Sequence, residues 1–216
     1  HILPGNVSSQ FVTGLLFSLP LLDEGGEIEF EGKLESRGYV DLTIGVLRDS
    51  GIDVIEKENG GFIIPGKQKF SRPKHLEAEV DWSGAAFWLT ANNIGNDIAI
   101  HGLNNDSIQP DRSIADALEN IGGEIDVSQF PDSFPALTVA AACAAGETTS
   151  FIGIERLRMK ESDRAAAMES ALGKFGVKTI VTQERFTVFG EESLNGGRFE
   201  SFGDHRIAMS IAIGAT

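Results

Sequence analysis

Between Arg156 and Arg164 the chain reads Arg-Leu-Arg-Met-Lys-Glu-Ser-Asp-Arg, four of its 18 Lys and Arg residues in one short run of a protein whose formal net charge is −14. Gathering cations in this way costs Coulomb energy unless something anionic rests on them. The run therefore predicts the floor of a site for a substrate bearing phosphate or carboxylate. Lys160 and Arg164 stand four positions apart, so on one helix they share a face and set an ammonium beside a guanidinium, a pair suited to oxyanions. Glu161 is near enough to Lys160 to be polarised by it and to move a proton. The competing explanation is a solvated charged helix in which Glu161 and Asp163 neutralise their neighbours. Spacing alone favours neither.

Asp204-His205-Arg206 adds an acid, an imidazole and a further cation at another helix start. His205 reads as a proton relay or as a structural residue. Helix starts at Ser8-Ser9, Asp81-Trp82-Ser83 and Asp132-Ser133 offer free N–H groups to an anion, although Ser and Asp are also the ordinary N-caps. No Cys, His and carboxylate cluster has metal-ligand spacing, and no Walker-type or G-x-G-x-x-G loop occurs. A nucleotide or metal enzyme is not supported.

The elements that carry these residues recur. A capped apolar helix, a strand, a glycine, a second helix and a further glycine follow one another three times, and Gly26/Gly32/Gly51, Gly95/Gly102/Gly122 and Gly146/Gly153/Gly176 align. Such matched intervals mark an internal repeat. Each unit is expected to run helix, strand, helix, strand, strand, with a strand before its first helix. Strands are expected at 27–30, 52–55, 61–64, 97–100, 149–152, 177–182 and 185–189, and helices over 6–22, 39–50, 111–121 and after 164. A last unit begins at Gly203 with one helix. Lys67 to Lys74, basic, polar and Pro-containing, predicts a hinge, which puts a domain boundary near 68–75.

Composition sets outer limits. The 216 residues suffice for one large domain or two small ones. The single cysteine, Cys143, lies among alanines and reads as a small buried hydrophobe; no internal disulfide is possible. No apolar run is long enough to span a membrane, the acidic balance argues against nucleic acid, and a cytoplasmic location is expected.

Asn6-Val7-Ser8-Ser9-Gln10-Phe11, Leu157 to Arg164 and Asp204-His205-Arg206-Ile207-Ala208-Met209, in this order, resemble the 5-enolpyruvylshikimate-3-phosphate synthase family. The resemblance covers essentially the whole chain and implies an α/β (α+β) fold, the enolpyruvyl transferase-like inside-out α/β barrel of βαβαββ repeats. It implies transfer of the enolpyruvyl group of phosphoenolpyruvate to shikimate 3-phosphate, in the shikimate pathway to aromatic amino acids. Ser8, Ser9, Gln10, Ser36 and Tyr39 would hold shikimate 3-phosphate, with Gln10 also reaching phosphoenolpyruvate. Asp132 would bind the shikimate hydroxyl and act as its base, and Lys160 would contact the same substrate. Glu161 would transfer the proton at the methylene, and Arg164 and Arg206 would clamp phosphoenolpyruvate. Arg156 stands where some members carry a phosphate-binding Asn, and Asp81 and Asp204 match acids lining the cleft. That scheme requires no cofactor.

The family's chain is considerably longer. The expectation is an incomplete two-lobed fragment: residues 1–67 as one unit of a first lobe, and 76–216 as two units and the start of a third. It is expected to be inactive alone and to self-associate, where the full-length enzyme is a monomer. Two alternatives stay open: a UDP-N-acetylglucosamine enolpyruvyl transferase, and a non-catalytic α/β repeat protein binding an anion or a partner.

Overall fold

A computed structural model describes residues 1–6, 8–72 and 77–216 of the chain. They form two compact units, His1–Ala78 with Ile108–Pro110, and Glu79–Ser107 with Asp111–Thr216.

The first unit runs β1 (Ile2–Pro4), α1 (Ser9–Ser18), β2 (Gly26–Glu31), α2 (Arg37–Asp49), β3 (Ile55–Glu56) and β4 (Phe62–Ile64). Its sheet has the order β1-β2-β4-β3, with β1 and β2 parallel and the other pairs antiparallel. This is a βαβαββ unit. The parallel pair matters most for function, because both strands deliver the chain to the same sheet edge before a helix begins. Gly5 N–H donates to the Glu31 carbonyl (2.8 Å) and Glu35 N–H to the Gly5 carbonyl (2.9 Å), which ties the two exit loops together. Val12 and Leu16 of α1, Val40, Ile44 and Leu47 of α2, and Ile28, Phe62 and Ile64 of the sheet close the core. The strand expected at 52–55 is shorter and lies further on, at Ile55–Glu56, because Ile52 and Val54 are buried in that core rather than laddered.

The second unit contains α3 (Trp82–Asn93), α4 (Ile114–Glu119), β5 (Glu124–Asp126), α5 (Phe134–Cys143), β6 (Thr148–Ile152), α6 (Arg164–Phe175), β7 (Lys178–Val181), β8 (Arg185–Phe189) and α7 (His205–Gly214). Residues 124–189 repeat the first unit's topology: the sheet order is β5-β6-β8-β7, with β5 and β6 parallel. Phe134 packs edge-on against Phe151 and Phe186, at 5.5 and 5.3 Å between ring centres. From Phe134 to Ala142 every residue of α5 is buried, and its small side chains let α3 and α7 lie directly on it. Helix α6 ends where Gly176 turns left-handed (φ 87°) and caps the Leu172 and Gly173 carbonyls.

Two further expectations need correction. The strand expected at 97–100 does not form, although Asp97-Ile98-Ala99-Ile100 alternates as a strand should. In its place the Asn92 carboxamide accepts the Ile98 N–H and donates to the Ile98 carbonyl, both at 2.8 Å. One side chain thus satisfies the two groups that a ladder neighbour would. The left-handed glycine that opens the first repeat is Gly25 (φ 69°) and not Gly26, which begins β2. Of the expected hinge, 68–72 carries no helix or strand and is bonded to the first unit. Gln68 pairs with Asp53 and Pro65, and the Ser71 amide and hydroxyl both donate to the Ser50 carbonyl. Residues 73–76 lie outside the described residues. No helix among the described residues is long and apolar enough to cross a membrane.

Candidate active site

In the second unit the exits of the parallel strands β5 and β6 lead to the residues with chemistry. After β5, a 3-10 turn at Pro131–Ser133 presents Asp132. The buried Ser133 hydroxyl anchors that turn by donating to Asp111 (3.0 Å). After β6, a 3-10 turn at Glu155–Met159 ends in Lys160, whose backbone is extended, and Asp163 then caps α6 by accepting the Ala166 N–H (3.0 Å). The third contributor is the start of α7, where Asp204 accepts the Arg206 N–H (2.9 Å).

These segments converge on Asp132. Arg164 Nη1 lies 2.6 Å from Oδ1, Lys160 Nζ 3.1 Å from the same oxygen, and Arg206 Nη2 3.2 Å from Oδ2. Arg164 is fully buried, and it also donates from Nε to Asp204 (2.9 Å) and from Nη2 to Glu161 (2.6 Å). Asp204, itself buried, receives a further bond from the Ser162 hydroxyl (3.1 Å). Three cations thus face three carboxylates, and the positive charge evident in the sequence is met by the chain's own acids.

The electrostatics follow from this packing. Burial alone would raise the pKa of Asp132, but Lys160, Arg206 and Arg164 outweigh it and hold the group at about 2. Asp204 is likewise pushed up by burial and brought below its ordinary value by Arg164, the Arg206 amide and Ser162. Burial works against the charge on Arg164, and Asp132 and Asp204 more than restore it. The site holds ionised carboxylates and cations at contact distance, an arrangement that an oxyanion can enter by exchange of partners.

The local path differs from the expected one. Lys160 and Arg164 do not share a helix face, because the helix begins only at Arg164 and Lys160 belongs to the preceding turn. They meet through Asp132 instead. Glu161, expected beside Lys160, is paired with Arg164. Arg156 is buried, and Arg158 reaches the Thr182 carbonyl (3.1 Å). His205 is exposed, its Nδ1 3.9 Å from Asp204, beyond hydrogen-bond reach. Asp81 is an exposed cap of α3 that accepts the Ser83 and Gly84 amides at 2.9 and 3.0 Å. Ser162, which links the Lys160–Asp163 turn to Asp204, was not singled out by spacing; its partner is 42 positions away.

In the first unit the equivalent sheet edge carries the serines. Ser8 caps α1 through the Gln10 N–H (3.3 Å), Ser9 is half-buried and Gln10 is exposed. Ser36 precedes α2 in a left-handed conformation (φ 52°) and is buried, with half-buried Tyr39 in the first turn. Positive φ at a serine is strained backbone, which tends to persist where function requires it. Ser8–Gln10 thus follow β1 as Asp132 follows β5, and Ser36–Tyr39 follow β2 as Lys160–Arg164 follow β6.

Comparison with known proteins points one way. The family model for EPSP synthase (3-phosphoshikimate 1-carboxyvinyltransferase) matches residues 3–130 and 122–216. The 3-phosphoshikimate 1-carboxyvinyltransferase of Clostridium acetobutylicum is 42% identical over 230 residues, covering 99% of this chain and 53% of that protein. That of Clostridioides difficile is 39% identical over 229 residues, covering 97% and 52%. The chain spans about half the length of the curated relatives it matches. Among solved structures, EPSP synthase from Acinetobacter baumannii superposes with a TM-score of 0.77 at 26% identity, over 96% of this chain and 54% of that one. The enolpyruvyl transferase NikO from Streptomyces tendae, at 19% identity and a TM-score of 0.57 over 88% of this chain and 49% of that one, shares the fold alone. The α/β architecture of βαβαββ units is therefore that of EPSP synthase, and with matches running through nearly all 216 residues the chain belongs to the EPSP synthase family.

Proposed function

We propose that this chain takes part in transferring the enolpyruvyl group of phosphoenolpyruvate to the 5-hydroxyl of shikimate 3-phosphate, releasing phosphate, in the cytoplasm. The observation that carries the reading is the convergence of Lys160, Arg164 and Arg206 on one largely buried carboxylate, Asp132, in a strongly acidic chain. Both substrates are multiply charged anions, and a site that keeps cations assembled without ligand need only exchange its own carboxylates for theirs.

In this reading Asp132 accepts the hydrogen bond of the attacking hydroxyl. While three cations face it, it is a weak base; once substrate oxyanions engage Lys160 and Arg206, its hold on a proton strengthens and it can draw the hydroxyl proton away. The hydroxyl oxygen then bonds to C2 of phosphoenolpyruvate as Glu161 supplies a proton to C3. Glu161 then takes a proton back from that methyl group while phosphate leaves with the proton that Asp132 drew from the hydroxyl, and the double bond is restored. Lys160 holds shikimate 3-phosphate, while Arg164 and Arg206 hold phosphoenolpyruvate. Ser8, Ser9, Gln10, Ser36 and Tyr39 supply further shikimate 3-phosphate contacts. Asp204 orients Arg164 by its Nε edge.

Calorimetric titration with shikimate 3-phosphate tests the assignment. The chain should bind it, Lys160→Ala should weaken binding roughly 10- to 100-fold, as befits a hydrogen bond to a charged group, and Ser9→Ala should weaken it by less. Binding of UDP-N-acetylglucosamine in place of shikimate 3-phosphate would move the chain to the sister enzyme, and binding of neither would reject the assignment.

A further inference from the structure

Each nitrogen of the buried Arg164 meets a carboxylate, with three of its five N–H groups engaged: Nε donates to Asp204, Nη1 to Asp132 and Nη2 to Glu161. Because its side chain has no exposed surface, an oxyanion can reach this guanidinium only where a group covering it moves, and the three carboxylates are the groups bonded to it. They are not equivalent. Asp204 is buried and held as well by Ser162 and by the Arg206 amide, so removing it would strand a charge without water. Asp132 has Lys160 and Arg206 as additional partners and a side chain only 22% exposed. Glu161 is 53% exposed, three residues along the chain from Arg164, and among the described residues has no other ion pair. It can swing into water at little cost, since an exposed carboxylate regains its hydration.

We infer that substrate reaches Arg164 by displacing Glu161, so that Glu161 is tethered when the site is empty and released when it fills. The inference rests on the function proposed above, which assigns phosphoenolpyruvate to Arg164. The exchange keeps Nη2 of the buried guanidinium bonded, because one carboxylate replaces another there. It also frees Glu161 at the moment a bound methylene needs a proton. Glu161 is then a competitor as well as a partner of the substrate, and the pair it makes with Arg164 subtracts from affinity.

Titrating phosphoenolpyruvate into the chain and its variants decides the matter. Glu161→Ala and Glu161→Gln should bind it about three- to five-fold more tightly, the range expected from relieving one ion pair whose carboxylate is exposed. Glu155→Gln removes a charge from an exposed residue of the same segment that does not touch Arg164, and should change affinity by less than two-fold. Equal effects of Glu155→Gln and Glu161→Gln would reduce the result to general electrostatics and overturn the exchange. Unchanged or weakened binding in both Glu161 variants would overturn it too, while leaving the assignment of phosphoenolpyruvate intact. No binding by any form would overturn that assignment and the exchange with it.

Discussion

Replacing Arg164 with methionine is expected to lower the stability of the second unit by about 3–5 kcal/mol, the cost of breaking a buried ion pair from one side. Methionine fills much the same volume, so lost packing is a minor part of the effect. What remains is Asp204, fully buried with its strongest partner gone, and Asp132 and Glu161 left with fewer cations than before. Arg164→Lys should recover little, because one ammonium cannot reach three carboxylates from the positions that a planar fork occupies. Both tryptophans, Trp82 and Trp88, lie on α3, so their fluorescence during urea unfolding reports on this unit selectively. A loss below about 1 kcal/mol would show that the network contributes no more than a surface pair.

Acid should undo the same network in a defined window. Asp132 and Asp204 have folded-state pKa values below their unfolded ones, so the unfolded chain binds more protons and stability falls as pH falls. The contribution is fully present above about pH 4. It is lost as the pH drops towards the value of about 2 held by Asp132. For Asp132 the difference between the two states amounts to roughly 2 kcal/mol. Asp132→Asn removes that titration, so between pH 4 and pH 2 its stability should fall less steeply than that of the unaltered chain. Parallel slopes in the two proteins, followed by the same tryptophan signal, would contradict the assignment of the depressed pKa to Asp132.

The repeat was legible because what recurs is backbone conformation. Gly32, Gly102 and Gly153 are all left-handed, and each has another left-handed glycine seven positions earlier. Spacing could not choose between Gly25 and Gly26, since adjacent glycines are interchangeable on that criterion. Alternation at 97–100 failed for a different reason: a strand requires a neighbour to ladder with, and four residues carry no information about who that neighbour is. The convergence of Lys160 and Arg164 was expected, but by the wrong path. The signal against a single helix was present, because Asp163 is an N-cap residue standing between them. Asp204 and Ser162 were harder to see. An acid at a helix start reads as a cap, which Asp204 is; that it also binds Arg164, 40 positions earlier, depends on how α6 and α7 pack.

In the proposed function, burial sets how directly an anion can reach each candidate residue. Asp204 and Arg164 are sealed by the core, whereas Lys160, Glu161, Arg206 and Asp132 keep part of their side chains open to a ligand. The central claim is that this set is one anion site. A heteronuclear NMR titration of the labelled chain with shikimate 3-phosphate followed by phosphoenolpyruvate tests it directly. The amide signals of 132–134, 160–164 and 204–206 should shift together and saturate at a common ligand concentration, and Lys160→Ala should sharply reduce the response to shikimate 3-phosphate at that concentration. Shifts confined to other segments, or three segments responding with separate midpoints, would contradict it.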